Sequence, residues 1–255
     1  MIFKRAYANL RAQQWTAILI ELAIVIVGVF IGTWVANWNQ QRADKRSVER
    51  LIEQLQPKLR ELAQLATDDQ GYYAVVGRYA RVAHAGWARD PAVTDDAFVI
   101  AAFQATELSP FNNNPLSGDA FFSAEEVRRI EDVETRERLT TVQSYDSQLL
   151  DLLGEGSEYR EAVRSIIPTE TQQLILAECG DRYRVKPRRY WLPATCQVKL
   201  PPKVAVSTAA ALRAHPELVR ALTSHMAHVT RHVTSAGVYG MLLRRLDERI
   251  AETRR

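Results

Sequence analysis

Residues 16–38 read TAILIELAIVIVGVFIGTWVANW, and this apolar stretch decides how the chain is organised. About 20 helical residues, each rising about 1.5 Å, match the hydrocarbon core of a bilayer. Trp15 stands at one end of the stretch and Trp34 and Trp38 at the other, where indole rings prefer the level of the lipid headgroups. The stretch exceeds the apolar core of a signal peptide, which has about 7 to 15 residues. We therefore predict an uncleaved transmembrane helix over residues 16–38.

One face of this helix carries small residues at helical spacing. Gly28, Gly32 and Ala36 follow one another at steps of four, a pattern that lets two helix backbones approach closely in lipid. Glu21 lies on the same face, where a carboxyl group is costly unless it is neutralised or paired. These four positions form a predicted helix-association face, with a homodimer through the membrane helix as the expected result. The alternative is that glycine is simply common in membrane helices.

Charge does not decide the orientation of the span, because basic residues flank it on both sides. Those residues are Lys4, Arg5 and Arg11 before the span, and Arg42, Lys45, Arg46 and Arg50 after it. The second group would suit anionic lipid headgroups.

The two cysteines of the chain, Cys179 and Cys196, favour a domain outside the cytosol. They lie in a segment rich in proline and aromatic residues. A disulfide across a loop of that size would stabilise the fold by about 3 kcal/mol in the chain-entropy model, given an oxidising compartment. The alternative is a pair of unrelated buried thiols. A zinc site is not indicated, because neither cysteine has a Cys-x-x-Cys partner or a neighbouring histidine.

Apolar residues continue in helical phase after the span and predict a juxtamembrane amphipathic helix over residues 39–67. The seam consists of Val48, Ile52, Leu55, Leu59, Leu62 and Ala66. Pro57 interrupts this helix, but the apolar phase passes through it unchanged, so we expect a kinked helix and not a break. The seam is interpreted as the stripe that faces the domain's own core, with an intermolecular coiled coil as the alternative.

Capping and turn signals predict that residues 68–255 form a helical domain. Thr94 is a predicted N-cap, Ser123 and Glu126 form a capping-box pattern, and Pro168 is expected to open a short helix. Residues 109–118 form a predicted loop, and residues 180–206 an irregular insert. The expected helices cover about 70–84, 94–107, 133–153, 158–166, 168–179 and a final stretch from about 216 towards the end of the chain.

Several stretches resemble an uncharacterised family of bacterial proteins, a domain of unknown function: IELAIVIVGVFIGTWVANWNQQR, LIEQLQPKL, GWARDPAVTDDAFVIAAFQATEL, and the pair AECGDR and LPATC. That family has one amino-terminal membrane helix followed at once by an Asn-Trp-Asn motif, here Asn37 to Asn39. The resemblance covers most of the chain. It implies a Gram-negative inner-membrane protein with a periplasmic carboxyl-terminal domain, and it implies pairing of Cys179 with Cys196. It carries no established activity and therefore no catalytic residues.

The prediction is thus an all-α protein in which one amino-terminal transmembrane helix continues into a helical-bundle ectodomain with one disulfide-closed insert. The expected organisation is a short cytoplasmic tail (1–15), the transmembrane helix (16–38), the juxtamembrane helix (39–67) and a helical periplasmic domain (68–255). The localisation expected is the bacterial inner membrane, single-pass, with the amino terminus cytoplasmic.

His225, His228 and His232 are the only constellation suggestive of chemistry. Their spacing of three and four residues places them on one helix face, and histidines so spaced are able to ligate zinc. No glutamate follows His225 as it does in His-Glu-x-x-His, and clustered histidines on an exposed helix are more often solvated. The three histidines are kept only as weak metal candidates.

Composition and motifs leave the function open among three classes. The net charge of +3 is spread over mixed clusters without a helix-turn-helix or RNA-binding signature, so no nucleic-acid partner is expected. No nucleophile elbow, phosphate loop or dinucleotide fingerprint is present, so neither catalytic residues nor a cofactor are predicted. The favoured hypothesis is an interaction or scaffold protein of the cell envelope, contacting the lipid bilayer and an unknown envelope protein. The alternatives are a small-molecule-sensing domain that acts with a partner subunit, and a metal-dependent hydrolase that uses the histidines.

Overall fold

The computed structural model describes residues 15–109, 124–153 and 157–253, and within these ranges the fold is all-α, as predicted. The described helices are α1 (Trp15–Trp87), α2 (Asp95–Gln104), α3 (Ala124–Arg128), α4 (Val133–Leu153), α5 (Glu158–Ile166), α6 (Thr169–Cys179), α7 (Pro202–Arg213) and α8 (Glu217–Thr253). One two-stranded sheet is formed by β1 (Arg182–Arg184) and β2 (Arg189–Trp191). Contacts divide the chain into two units, Met1–Glu53 and Gln54–Arg255.

Helix α1 contains the predicted span. Within the described residues it is the one helix that is long and apolar enough to cross a membrane. The apolar side chains of the span are exposed, as in Phe30, of which 71% is accessible. A Cβ atom added at Gly28 or Gly32 would meet no atom within 4 Å, so the predicted association face is open. Association through that face stays a prediction.

The same helix continues to Trp87 and passes through Pro57, so the expected continuation through the proline is correct. Residues 70–84 are helical as predicted, but they continue α1 and do not form a separate helix, because the chain stays helical between residues 67 and 70. Residues 55, 59, 62 and 66 of the predicted seam are buried, which places the stripe against the core of the Gln54–Arg255 unit. The core-facing interpretation of the seam is therefore the one that the fold supports.

Local capping signals place several helix ends correctly. Thr94 caps α2, because its side chain accepts a hydrogen bond from the amide of Ala97. Helices α4 and α5 occupy the predicted ranges, and α6 begins directly after Pro168. The predicted capping box and most of the predicted 109–118 loop lie outside the described residues, since positions 110–123 are not among them.

The insert predicted over residues 180–206 is partly wrong, because helix α7 begins inside it at Pro202. Pro201 and Pro202 open that helix, where their fixed φ suits the first turn and a missing N–H costs nothing. The remainder of the insert holds the β-hairpin, in which Arg182 pairs with Trp191 and Arg184 with Arg189. The Cys179–Cys196 disulfide is present and closes the segment that contains this hairpin.

Helix α2 lies at the centre of the larger core. Every residue from Phe98 to Gln104 is buried, and side chains from α5, α6 and α7 pack against this helix. The ring of Trp87 meets Phe98 edge to face at 4.9 Å between centroids, and its indole N–H donates to the carbonyl oxygen of Leu212 at 3.1 Å. The last turn of α1 is thereby fixed to both α2 and α7.

Candidate functional site: buried polar groups along the last helix

Two of the three predicted histidines on α8 are buried. His225 and His232 are each 6% exposed, whereas His228 is exposed. The expectation that these histidines are solvated is therefore wrong for His225 and His232. They lie seven residues apart, on the stripe where α8 also buries Leu222, Val229 and Ala236. His228 faces away from that stripe.

His232 belongs to a buried cluster with Asp69 of α1 and Tyr190 of β2. Its Nε2 lies 2.8 Å from Oδ2 of Asp69, whose side chain is 1% exposed. The Tyr190 hydroxyl donates to the other carboxylate oxygen at 3.2 Å. Because a carboxylate oxygen only accepts, Nε2 of His232 carries the hydrogen. The ring of Tyr73 packs edge to face on His232 at 5.0 Å, so the cluster joins α1, α8 and the hairpin.

The neighbouring Asp68 fixes the hairpin from the other side. Nε of Arg189 donates to both of its carboxylate oxygens, at 2.8 and 2.7 Å. The backbone amide of Tyr190 also donates to Asp68, at 3.3 Å. Strand β2 is therefore held to α1 by two consecutive aspartates.

His225 binds groups from two other elements. Its Nε2 lies 3.1 Å from the carbonyl oxygen of Ala105, and its Nδ1 lies 2.8 Å from the hydroxyl of Ser157. A carbonyl oxygen only accepts, so Nε2 carries the hydrogen and Nδ1 accepts from Ser157. Burial lowers the pKa of His225 to about 4, which keeps the imidazole neutral at pH 7.

The pair formed by Ser157 and His225 has the atoms of a nucleophile and a base, but its environment favours a structural role. The Ser157 oxygen also accepts the amide of Arg160 at 3.2 Å and so caps α5. A general base works best with a pKa near the operating pH, and the pKa of this imidazole is well below it. The pair joins α5, α8 and the end of α2.

A third buried cluster surrounds Glu107, which lies shortly after the end of α2. Its carboxylate accepts from Nη2 of Arg164 at 2.8 Å. Burial raises the pKa of Glu107, and the charge of Arg164 partly offsets this effect. Nearby, the Tyr72 hydroxyl donates to Asp181 at 2.7 Å, and burial raises the pKa of that aspartate. This cluster ties α1 and α5 to the segment that the disulfide closes, which contains Asp181.

The geometry does not bring the three histidines together on a metal. Among residues 15–109, 124–153 and 157–253, no group of three or more histidine, cysteine or acidic side chains is arranged to hold a metal ion. The buried rings of His225 and His232 are directed at Ala105 and Asp69. In the described part of the chain, the polar clusters therefore act as cross-links between helices.

Two surface features lie outside these clusters. The first is the β-hairpin, on which Tyr183, Val185 and Trp191 are exposed between basic residues. The second is an open cleft of about 640 Å³ formed by α3 and α4. Its lining contains positively and negatively charged side chains, hydroxyl groups and one apolar side chain. The lining residues are Val127, Arg128, Arg136, Glu137, Thr140, Thr141 and Gln143.

In comparisons with family models, curated proteins and solved structures, the chain matches none.

Sequence reasoning missed Asp69, Glu107 and Ser157 as partners of buried side chains. A signal was present for Asp69, because it follows Ala66 by three residues and continues the apolar seam of α1. A carboxylate on a buried stripe requires a partner. No local pattern indicates that the partner is His232, which lies 163 residues away.

Proposed function

We propose that this chain is a single-pass protein of the bacterial inner membrane whose periplasmic helical domain binds another envelope component and acts as an interaction or scaffold protein. The observation that carries the proposal is the exposed apolar span of α1, followed in the chain by a unit with its own buried core. An exposed apolar helix of that length is stable in a bilayer and costly in water.

The disulfide supports the periplasmic side. Cys179 and Cys196 are bonded, and disulfides persist in oxidising compartments such as the periplasm. The amino terminus then lies in the cytoplasm. A homodimer through Glu21, Gly28, Gly32 and Ala36 is part of the proposal, because small residues at that spacing allow close helix packing in lipid.

Buried cross-links support a scaffold role. The pairs that Asp69, Glu107 and His225 make each join elements distant in sequence. Such networks, when fully satisfied, hold elements in one arrangement. A domain fixed in this way presents its surface to a partner at little cost in ordering, which favours binding.

The test is site-specific crosslinking in intact cells. A photoreactive amino acid at position 141, in the cleft, is compared with one at position 223, an exposed site on α8. One recurrent envelope protein trapped from position 141, and crosslinked reciprocally from its own surface, supports the proposal. The same scattered, abundant proteins trapped from both positions would contradict it.

The cleft supports a second candidate function, in which the domain senses a small anionic molecule and acts with a partner subunit. Arg128 and Arg136 line it, and arginine is well suited to bind carboxylate or phosphate groups. A panel of small carboxylates and phosphates, screened by thermal shift on the full chain in detergent, tests this candidate. Stabilisation by one chemical class that is lost in Arg136→Gln supports sensing, and no stabilisation by any class excludes it.

Within the described residues, no group of side chains gives comparable support to a metal-dependent hydrolase. Both ring nitrogens of His225 are engaged, with Ala105 and Ser157, and Nε2 of His232 is engaged with Asp69. Metal analysis of the purified full chain checks this directly.

A further inference from the structure

The β-hairpin concentrates positive charge at an exposed site. Residues 182–191 read RYRVKPRRYW and hold five basic residues without an acidic one. Arg189 is paired with Asp68, with 2.7 Å between Nε and Oδ2. Arg188 lies 3.8 Å from Glu61, a looser contact. Even after both pairs are discounted, three cations of the hairpin remain.

Those three cations are Arg182, Arg184 and Lys186. All are exposed. Arg182 donates to the carbonyl oxygen of Glu178 at 2.7 Å, which orients its guanidinium and leaves its charge uncompensated. Within the described residues, Arg184 and Lys186 form no ion pair. The adjacent acidic group, Asp181, accepts from the hydroxyl of Tyr72.

Apolar and aromatic side chains lie among these charges. Tyr183 is 56% exposed, Val185 67% and Trp191 47%. Tyrosine and tryptophan are enriched where a membrane meets water, because they combine an apolar ring with a polar atom. Since Trp191 pairs with Arg182 across the two strands, the indole and a guanidinium lie on one face of the hairpin.

The hairpin is fixed to the rest of its domain. Tyr190, which alternates with the exposed Trp191, is 4% exposed and packs against α1. The Cys179–Cys196 disulfide joins the chain before the hairpin to the chain after it. A surface held in this way loses little entropy when it binds.

We propose that the hairpin docks on an anionic phospholipid surface. The uncompensated cations complement negatively charged headgroups, and the interleaved aromatic and apolar side chains suit the interfacial layer beneath them. The inference rests on the proposed function, in which the same chain is anchored in a bilayer. A basic residue near such a surface strengthens binding about fivefold, so Arg184 and Lys186, two of the three uncompensated cations, together contribute a factor of about 25.

The test uses the full chain in lipid nanodiscs, with an environment-sensitive fluorescent amino acid in place of Val185. One set of discs contains phosphatidylcholine alone, and the other contains phosphatidylcholine with phosphatidylglycerol. In a further arm, vesicles containing phosphatidylglycerol are added to chains in the neutral discs. The expected result is a blue shift with anionic lipid, either in the disc or in the added vesicles, that is reversed by salt because the attraction is electrostatic.

The matched variants each remove two exposed positive charges. Arg184→Gln with Lys186→Gln is expected to weaken docking about 25-fold, whereas Lys203→Gln with Arg220→Gln, on α7 and α8, leaves it unchanged. Equal emission with neutral and anionic lipid in both arms would overturn the proposal. So would a blue shift that both double variants preserve, because a protein contact and not the headgroup charge would then cover the hairpin. A chain that fails to insert into discs refutes the anchorage, a separate outcome.

Discussion

Acidification should destabilise this protein through His225. In the folded chain the ring accepts from Ser157 and donates to Ala105, an arrangement that requires neutral imidazole. Burial lowers its pKa from an ordinary value of 6.5 to about 4. The unfolded chain therefore binds a proton between pH 6.5 and 4 that the folded chain does not bind, so the stability due to this residue falls as the pH falls.

The magnitude follows from the two pKa values. Each unit of difference is worth about 1.4 kcal/mol, so the full effect approaches about 3 kcal/mol. This contribution is complete above pH 6.5, declines through the window and is lost near pH 4. Glu107 and Asp181 act in the opposite direction, since burial raises their pKa values and acid protonates them first in the folded state. Wild type must therefore be compared with a variant at each pH.

The variant is His225→Gln, whose amide N–H remains able to donate to the Ala105 carbonyl oxygen. Urea unfolding of the full chain in non-ionic detergent, followed by circular dichroism, gives the free energy of unfolding of both proteins at pH 7, 6, 5 and 4. Wild type should lose about 3 kcal/mol relative to the variant between pH 7 and 4, since the other titrating groups cancel in the difference. Parallel pH dependences of the two proteins would refute the neutral, buried role of this histidine.

Further predictions follow from single contacts, each checked by the same unfolding assay at pH 7. Asp69→Ala removes the acceptor of the buried His232 Nε2 and one of the two acceptors of the Tyr190 hydroxyl, and should cost about 2 to 3 kcal/mol. Asp247→Ala breaks an ion pair with a largely exposed arginine and should cost less than about 1 kcal/mol. Equal costs would contradict the buried cluster. Gly86→Ala should destabilise strongly, because its Cβ would lie 2.1 Å from a buried phenylalanine ring. Gly71→Ala meets no atom within 4 Å and should stabilise α1 by about 0.5 to 1 kcal/mol, so a loss there would contradict the structure. Cys196→Ser should cost about 3 kcal/mol under oxidising conditions and match wild type under reducing ones, and a cost that persists after reduction would point to packing and not to the cross-link.

Elements with local causes were predictable from the sequence. Thr94 caps α2 through its own side chain, and Pro168 precedes the start of α6. The seam of α1 was visible as a period of three and four residues. Helix α7 was missed although Pro201 and Pro202 mark its start, because the segment before it is irregular and the signal was assigned to the insert.

The polar clusters could not be predicted, because they depend on long-range packing. The distance along the chain is 163 residues between Asp69 and His232, and 68 between Ser157 and His225. From the sequence alone, histidines on a helix are predicted to be solvated or metal-binding. His225 and His232 are buried only because α8 packs against α1 and the end of α2. The same limit applies to the hairpin, whose uncompensated charge depends on which of its basic residues pairs with Asp68.

An anchored chain whose disulfide-closed domain lies in the periplasm must expose its carboxyl-terminal end on the periplasmic side of the inner membrane, and protease access from each side measures this. Cells that produce the full chain with a carboxyl-terminal epitope tag are converted to spheroplasts and, separately, to inverted inner-membrane vesicles, and both are treated with protease. We expect the protein to stay in the membrane pellet after alkaline carbonate extraction, and the tag to be digested in spheroplasts and protected in inverted vesicles. Release by carbonate, or a tag protected in spheroplasts and digested in inverted vesicles, would contradict it.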